Sequence, residues 1–282
     1  MSSHLGLTKG VDRDTVLLAL PRLGFAFRLS RSSLVLTTIA WALALGVACL
    51  SLTLGTFPMS LSEVLTVLTG GGTLIERDIV VNGRLPRAIT ALGVGAAFAL
   101  SGAILQRIAS NPLVSPDIIG INSGAAVGAL VVITVLGGSG PTVVLGALVG
   151  AGLTAAAVLL LASKRGLHGF RLVLVGVGVA AMLSSAISYL LIRADLHTAH
   201  AGASWLTGSL ANRSGTHVGI VLAALALAVP ALVVLGRHLR LLELGDDLTR
   251  TLAGTRRATK APLLLVAVLL AALATAAAGP IG

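Results

Sequence analysis

Seven runs of about 20 residues each, nearly free of charge, set the terms for this chain: residues 34–55, 87–107, 118–136, 142–162, 172–192, 216–236 and 261–280. A helix of roughly 20 apolar residues is what it takes to cross the hydrocarbon core of a bilayer. Backbone polar groups in lipid must be satisfied within the segment, so runs of this kind predict helices rather than open strands. Charged residues make up 11% of the chain and apolar residues 56%. A water-soluble surface on a chain of this length needs far more charge. The expected fold class is therefore all-α, a polytopic transmembrane helix bundle held in membrane lipid.

The formal net charge of +10 invites a nucleic-acid reading. However, the cations sit in short connections between apolar runs, with no aromatic residues interleaved for stacking on bases, so no nucleic-acid partner is expected. Their distribution fits membrane orientation better. With the N-terminus placed in the cytoplasm, fifteen of the 20 Lys and Arg residues fall on the inner side. The outer side holds Arg77, Arg84, Arg87, Arg193 and Arg213. Cytoplasmic loops are the cation-rich ones, so the N-terminus is predicted inside. Cys49 is the single cysteine and lies within the first run, where it reads as a small hydrophobe and excludes an internal disulfide.

Residues 1–33 form a basic, cytoplasmic lead. Val11–Leu29 is expected either as a short surface helix broken at Pro21 or as an unstructured lead. Small residues recur at helical spacing further on: Gly120, Gly124 and Gly128 in one run, Gly146 and Gly150 in the next. Such spacing favours close helix crossing over pore lining.

The most specific stretch is 82–124, NGRLPRAITALGVGAAFALSGAILQRIASNPLVSPDIIGINSG. Arg84 and Arg87 flank a Leu-Pro pair ahead of an apolar run. Asn111, Pro112 and Pro116 then make a polar break, a structural turn, before the next run starts. Arg84, Pro86, Arg87, Gly95, Ser101-Gly102, Gln106, Asn111-Pro112-Leu113, Pro116, Gly120 and Ser123-Gly124 resemble, in order, the FecCD/BtuC-like permeases. These are the membrane subunits of bacterial ABC importers for iron-siderophores, haem and vitamin B12. The resemblance runs from about Leu34 to the last residue, which makes 34–282 the expected permease domain. Within it, Trp205-Leu206-Thr207-Gly208-Ser209-Leu210 and Glu243–Asp247 look closest to the ferric-enterobactin-type subset.

The resemblance implies roles for particular residues. Arg84 and Arg87 would receive acidic groups of an external substrate-binding lipoprotein, since a guanidinium pairs with a carboxylate through two parallel hydrogen bonds. Interfacial anchoring is the plainer alternative. Leu244, Gly245, Asp246, Asp247, Leu248, Arg250, Leu252 and Gly254 read as a short helix, with acidic residues at its N-terminus and Leu248 and Leu252 on one face. By position it matches the coupling helix that sits in a groove of the ATPase; a solvated loop helix is the alternative. Ala253 departs from the leucine usual there. Trp205 and Ser209 would lie near the substrate path on an external re-entrant helix, unless Trp205 is an ordinary interfacial aromatic. His168 and Gly169 would lie near a cytoplasmic gate.

Bond chemistry is not expected of this chain. It carries no GxxxxGK[ST] segment, so ATP would be used by a partner ABC ATPase subunit and no cofactor is bound here. Asp195, His197, His200 and His217 are too loosely spaced, without cysteine, for a metal assignment. Iron would travel as the siderophore complex. A second permease subunit, identical or paralogous, would complete the path. The resembled family has ten spans where seven are read here, so a C-terminal truncation of about three spans is expected after Ala278-Gly279-Pro280-Ile281-Gly282. Two other readings stay open: a non-transporting fragment, and a secondary carrier or channel without an ATPase. Acidic residues lie only at the ends of runs or in the connections, which weighs against the carrier.

Overall fold

The computed structural model describes residues 15–20, 25–163, 169–211, 213–243 and 256–281. The chain divides into two compact units, Met1–Val64 and Leu65–Gly282.

The first unit opens with two strands, β1 (Thr15–Leu20) and β2 (Phe25–Ser30), paired antiparallel from Thr15↔Ser30 to Leu20↔Phe25. Over the described part of Val11–Leu29 this corrects both expected readings, the surface helix broken at Pro21 and the unstructured lead. TVLLAL and FAFRLS are rich in β-branched and aromatic residues, and Pro21 between them bars one continuous helix. Helix α1 (Arg31–Thr53) follows at once, its first turn capped by Ser30, whose Oγ accepts from the Ser33 N–H at 3.1 Å. At 23 residues it is long and apolar enough to cross a membrane. A short helix, α2 (Leu61–Leu68), leads into the second unit.

The second unit is a helical bundle. A four-residue helix α3 (Leu74–Arg77) passes through a π-helical segment (Asp78–Arg84) into α4 (Leu85–Ala109). The wide turn ends where Pro86 begins: the Leu85 N–H reaches back five residues to the Val80 carbonyl. Proline has no N–H and crowds the carbonyl four residues before it, so widening the preceding turn lets the helix run through. Then come α5 (Ile121–Leu130) with a π-helical end (Val131–Val135), α6 (Pro141–Ser163), α7 (Gly169–Arg193), α8 (Leu196–Leu206), α9 (Gly215–Glu243) and α10 (Arg256–Ala278). Helix α10 lies at the centre, packed on α4, α9, α6 and α5 through Leu263, Leu264, Ala267, Leu270, Ala271 and Ala274.

Six helices among the described residues have spanning length and hydropathy; the run at 118–136 is the one that falls short. Its helix has only ten α-helical and five π-helical residues. The reason lies in the segment before it. Helix α4 ends in a left-handed Ser110 (φ 51°, ψ 38°), with the Ser110 N–H on the Arg107 carbonyl and the Asn111 N–H on the Gln106 carbonyl. This closing pattern satisfies the last carbonyls of a helix. The chain then climbs beside α7. A Cβ on Gly169 would overlap the Ala109 backbone, one on Gly176 would come 2.7 Å from the Ile119 Cα, and Gly120 lies against Ala180. Eleven residues of helix separate Gly169 from Ala180, roughly 16 Å at 1.5 Å per residue. Residues 110–120 therefore use up about half of the bilayer depth before α5 starts.

Candidate functional site

Arg84 sits at the joint between the π-helical segment and α4, half-buried, and Arg87 stands exposed one turn later. Three residues apart on one helix, they share a side. In the polar break, the Asn111 Oδ1 accepts from the Leu113 N–H at 3.0 Å, and the Ile121 N–H reaches the Pro116 carbonyl at 3.2 Å. Pro112 and Pro116 supply no donor, so the remaining amides bond across them.

Two features of this region were not anticipated from the sequence. Asn122 donates from Nδ2 to the Asp117 carboxylate, while its Oδ1 accepts from the Thr275 hydroxyl at 2.7 Å. Thr275 is fully buried and Asn122 nearly so. The Ser101 hydroxyl donates to the Ala267 carbonyl at 2.7 Å, also buried. Polar side chains inside apolar helices are costly unless paired, and these pairs tie α5 and α4 to α10. The available signal was an Asn, a Thr and a Ser within otherwise apolar runs.

Trp205 and Ser209 lie where α8 meets the end of α10. The Ser209 N–H donates to the Ala278 carbonyl at 2.8 Å. Gly208 and Gly279 both have positive φ, and a Cβ at Gly279 would come 2.7 Å from the Gly208 Cα, so the two backbones touch there. Trp205 is half-buried and lines a cavity of about 800 Å³ together with residues of the 138–148 stretch and Arg213–Ile220. Asp195 caps α8, its carboxylate accepting from the Thr198 N–H at 3.1 Å and the Thr198 hydroxyl at 2.7 Å. Those bonds hold the carboxyl below its usual range. His217 turns instead towards Arg213 and Ser214. Among the described residues no three His, Cys, Asp or Glu side chains converge.

Gly169 begins α7 and is half-buried against the end of α4. His168 lies outside the described residues, as do Leu244, Gly245, Asp246, Asp247, Leu248, Arg250, Leu252 and Gly254.

The model of the FecCD transport family matches residues 43–282. The chain belongs to that family. Similar curated proteins include the ferric enterobactin transport system permease protein of Escherichia coli K12, 39% identical over 80% of this chain and 69% of the relative. The achromobactin transport system permease protein of Dickeya dadantii is 36% identical over 90% of this chain and 74% of its own length. An iron(3+)-hydroxamate import system permease protein of Bacillus subtilis is 33% identical over 88% and 76%. A solved structure of a metal-chelate type ABC transporter in an inward-facing conformation superposes with a TM-score of 0.74 at 29% identity, covering 86% of this chain and 76% of that one. This FecCD chain is thus all-α in its membrane part and a multi-pass protein of the inner membrane, related to transport components rather than to enzymes.

Proposed function

We propose that this chain is the permease subunit of an ATP-driven importer that moves a ferric siderophore across the bacterial inner membrane. The observation that carries the reading is the 39% identity with the ferric enterobactin permease over 80% of the chain, within a FecCD match that reaches from residue 43 to residue 282. Two permease subunits would enclose the path, an external lipoprotein would deliver the cargo, and a pair of ABC ATPase subunits would supply the work. The chain itself binds no cofactor; the iron is cargo. Residues 34–282 constitute the permease domain, and 1–33 a cytoplasmic lead.

Sidedness follows from the cation bias, which puts the N-terminus and the connection after α9 in the cytoplasm. Helix α9 supports this arrangement. It runs for 29 residues, roughly 44 Å, against a hydrocarbon core of about 30 Å. Its apolar part ends at Gly236, and Arg237, His238 and Arg240 follow. Beyond that end of the helix, Leu244, Gly245, Asp246, Asp247, Leu248, Arg250, Leu252 and Gly254 would sit in a groove of the ATPase. Arg84 and Arg87, on the opposite side in this topology, are assigned to docking of the binding protein. Trp205 and Ser209 are assigned to the substrate path, and His168 and Gly169 to its inner gate.

The reading is tested by uptake of radiolabelled ferric siderophore in a strain that lacks its own permease and expresses this chain with its ATPase and binding protein. ATP-dependent accumulation is expected; uptake that persists without any ATPase rejects the importer in favour of a carrier. In the same assay, Arg84→Glu with Arg87→Glu should abolish the stimulation given by the binding protein while membrane levels stay unchanged. Undiminished uptake in the double variant rejects the docking role.

A further inference from the structure

The cavity of about 800 Å³ beside Trp205 has mostly apolar walls. Its polar lining is Ser139, Arg213, Ser214, Thr216 and His217, and two helices begin along its wall, α6 at Pro141 and α9 at Gly215. Helix N-termini favour negative charge. Arg213 is fixed by its Nε–H, which donates to the Ser209 carbonyl at 2.8 Å. Its Nη1 lies 3.1 Å from the His217 Nε2, while the His217 Nδ1 lies 3.3 Å from the Ser214 backbone N and 3.2 Å from the Ser214 hydroxyl. A neutral imidazole has one proton to place. On Nε2 it faces the guanidinium, donor against donor; on Nδ1 it faces the Ser214 N–H. Either way one N–H finds no acceptor inside the cluster and, with Ser214 exposed, is open to one from outside. Burial also pulls the Arg213 guanidinium below its usual range, as expected of a cation short of water.

The face beside the cavity suits contact with lipid. Leu145, one of its lining residues, belongs with Val149 and Leu153 to a single exposed apolar stripe on α6. A second groove of about 660 Å³ shares Gly138 and Leu145 with the first and follows α6 from Thr142 to Thr154, lying over the α5–α6 seam beside Leu183 of α7. Twelve helical residues extend roughly 18 Å. One leaflet of the hydrocarbon core is about 15 Å deep. Two apolar grooves thus share a wall at Gly138 and Leu145, the first lined also by the Arg213 guanidinium and the second as long as a leaflet is deep.

We infer that this pair of cavities is a binding site for an anionic diacyl phospholipid, its phosphate held at Arg213 and the α9 N-terminus and its chains divided by Leu145. Phosphate oxygens would accept from the Arg213 guanidinium and from the N–H that finds no partner inside the cluster. The site is separate from the roles of Arg84, Arg87 and residues 244–254, but it shares Trp205 with the proposed substrate path, and displacement of the lipid by cargo decides between the two.

Trp205 lines the cavity and reports on it. The chain has two tryptophans, Trp41 and Trp205, so a Trp41→Phe protein leaves one fluorophore. The test reconstitutes this full chain into phosphatidylcholine vesicles containing increasing fractions of brominated phosphatidylglycerol or of brominated phosphatidylcholine. Half-quenching of Trp205 is expected at an about fivefold lower fraction of the anionic lipid, the factor one basic residue contributes near an anionic headgroup. Arg213→Gln should remove the preference and Arg213→Lys should keep most of it. Soluble glycerol phosphate should leave the quenching unchanged. Equal quenching by the two lipids in the Arg213 protein overturns the inference without recourse to any variant. So does displacement of the brominated lipid by a ferric catecholate, which would give the cavity to the cargo, or by glycerol phosphate, which would make it a site for free anions.

Discussion

Small residues recur at helical spacing on two faces of this bundle, and the outcomes are opposite. On α5 and α6, Gly124, Gly128, Gly146 and Gly150 meet one another: a Cβ on Gly128 would overlap the Gly146 carbonyl oxygen, and one on Gly150 would overlap that of Gly124. On α4, Gly95 and Gly102 belong to a similar stripe of small residues, yet a Cβ at either meets nothing within 4 Å. In the first case small residues bring two backbones into van der Waals contact, the main source of helix association where lipid removes the hydrophobic difference. In the second they merely keep a surface low. Spacing alone does not separate these cases, because the deciding atoms belong to another helix.

The largest effect is expected at the closed seam. Gly128→Ala places a methyl where the Gly146 carbonyl stands, and both partners are backbone, so neither can yield by changing rotamer. The two helices must separate, at a cost of about 3 kcal/mol. Thermal unfolding in detergent should show a clear drop for this variant, together with loss of monodisperse protein. A Gly128→Ala protein as stable as the parent would mean that the seam is looser than drawn and would dissolve the contrast with α4.

A smaller effect is expected where polar atoms do the joining. The Thr275 hydroxyl bonds the Asn122 Oδ1 between α10 and α5. Hydrogen bonds within membrane bundles contribute about 0.6 kcal/mol on average and up to about 1.7. A cycle of Thr275→Val, Asn122→Ala and the double variant should give a coupling near 1 kcal/mol. Additive losses would show that the bond is incidental and that α5 is held by its glycines alone.

Much of this architecture was legible in the sequence because lipid imposes a single local requirement, an apolar run of the right length, and six of the seven runs satisfy it as helices. Where the reading failed, the cause was a non-local partner. The run from 118 to 136 reads as a span by composition, but residues 110–120 climb along Gly169, Gly176 and Ala180 of α7, which no pattern within the run reveals. The paired strands Thr15–Leu20 and Phe25–Ser30 stand where a surface helix or an unstructured lead was expected, because β propensity outweighed a weak amphipathic pattern. For the site, Arg84, Arg87, Trp205 and Ser209 were picked out through family likeness. The Arg213–His217–Ser214 cluster had only faint traces: a cation on the side where cations are scarce, and a histidine four residues on, at the start of an apolar run.

The open stripe gives the sharpest remaining test, because its expected effect on folding is nearly nil. Gly102→Ala adds a methyl to free space and replaces the poorest ordinary helix former with the best, a gain of up to about 1 kcal/mol in helix propensity. Stability in detergent should be unchanged or slightly raised. Transport is a separate question, since Gly102 lines a small cavity with Gln106, Pro116 and Asp117, beside the segment that climbs along α7. If Gly102→Ala folds normally and still transports at the parental rate, the α4 stripe is passive surface, as its open geometry implies. If it folds normally but transport falls, that face must close on something during the cycle. The contrast with the α5–α6 seam would then be one of timing: a contact made permanently on one pair of helices and transiently on the other.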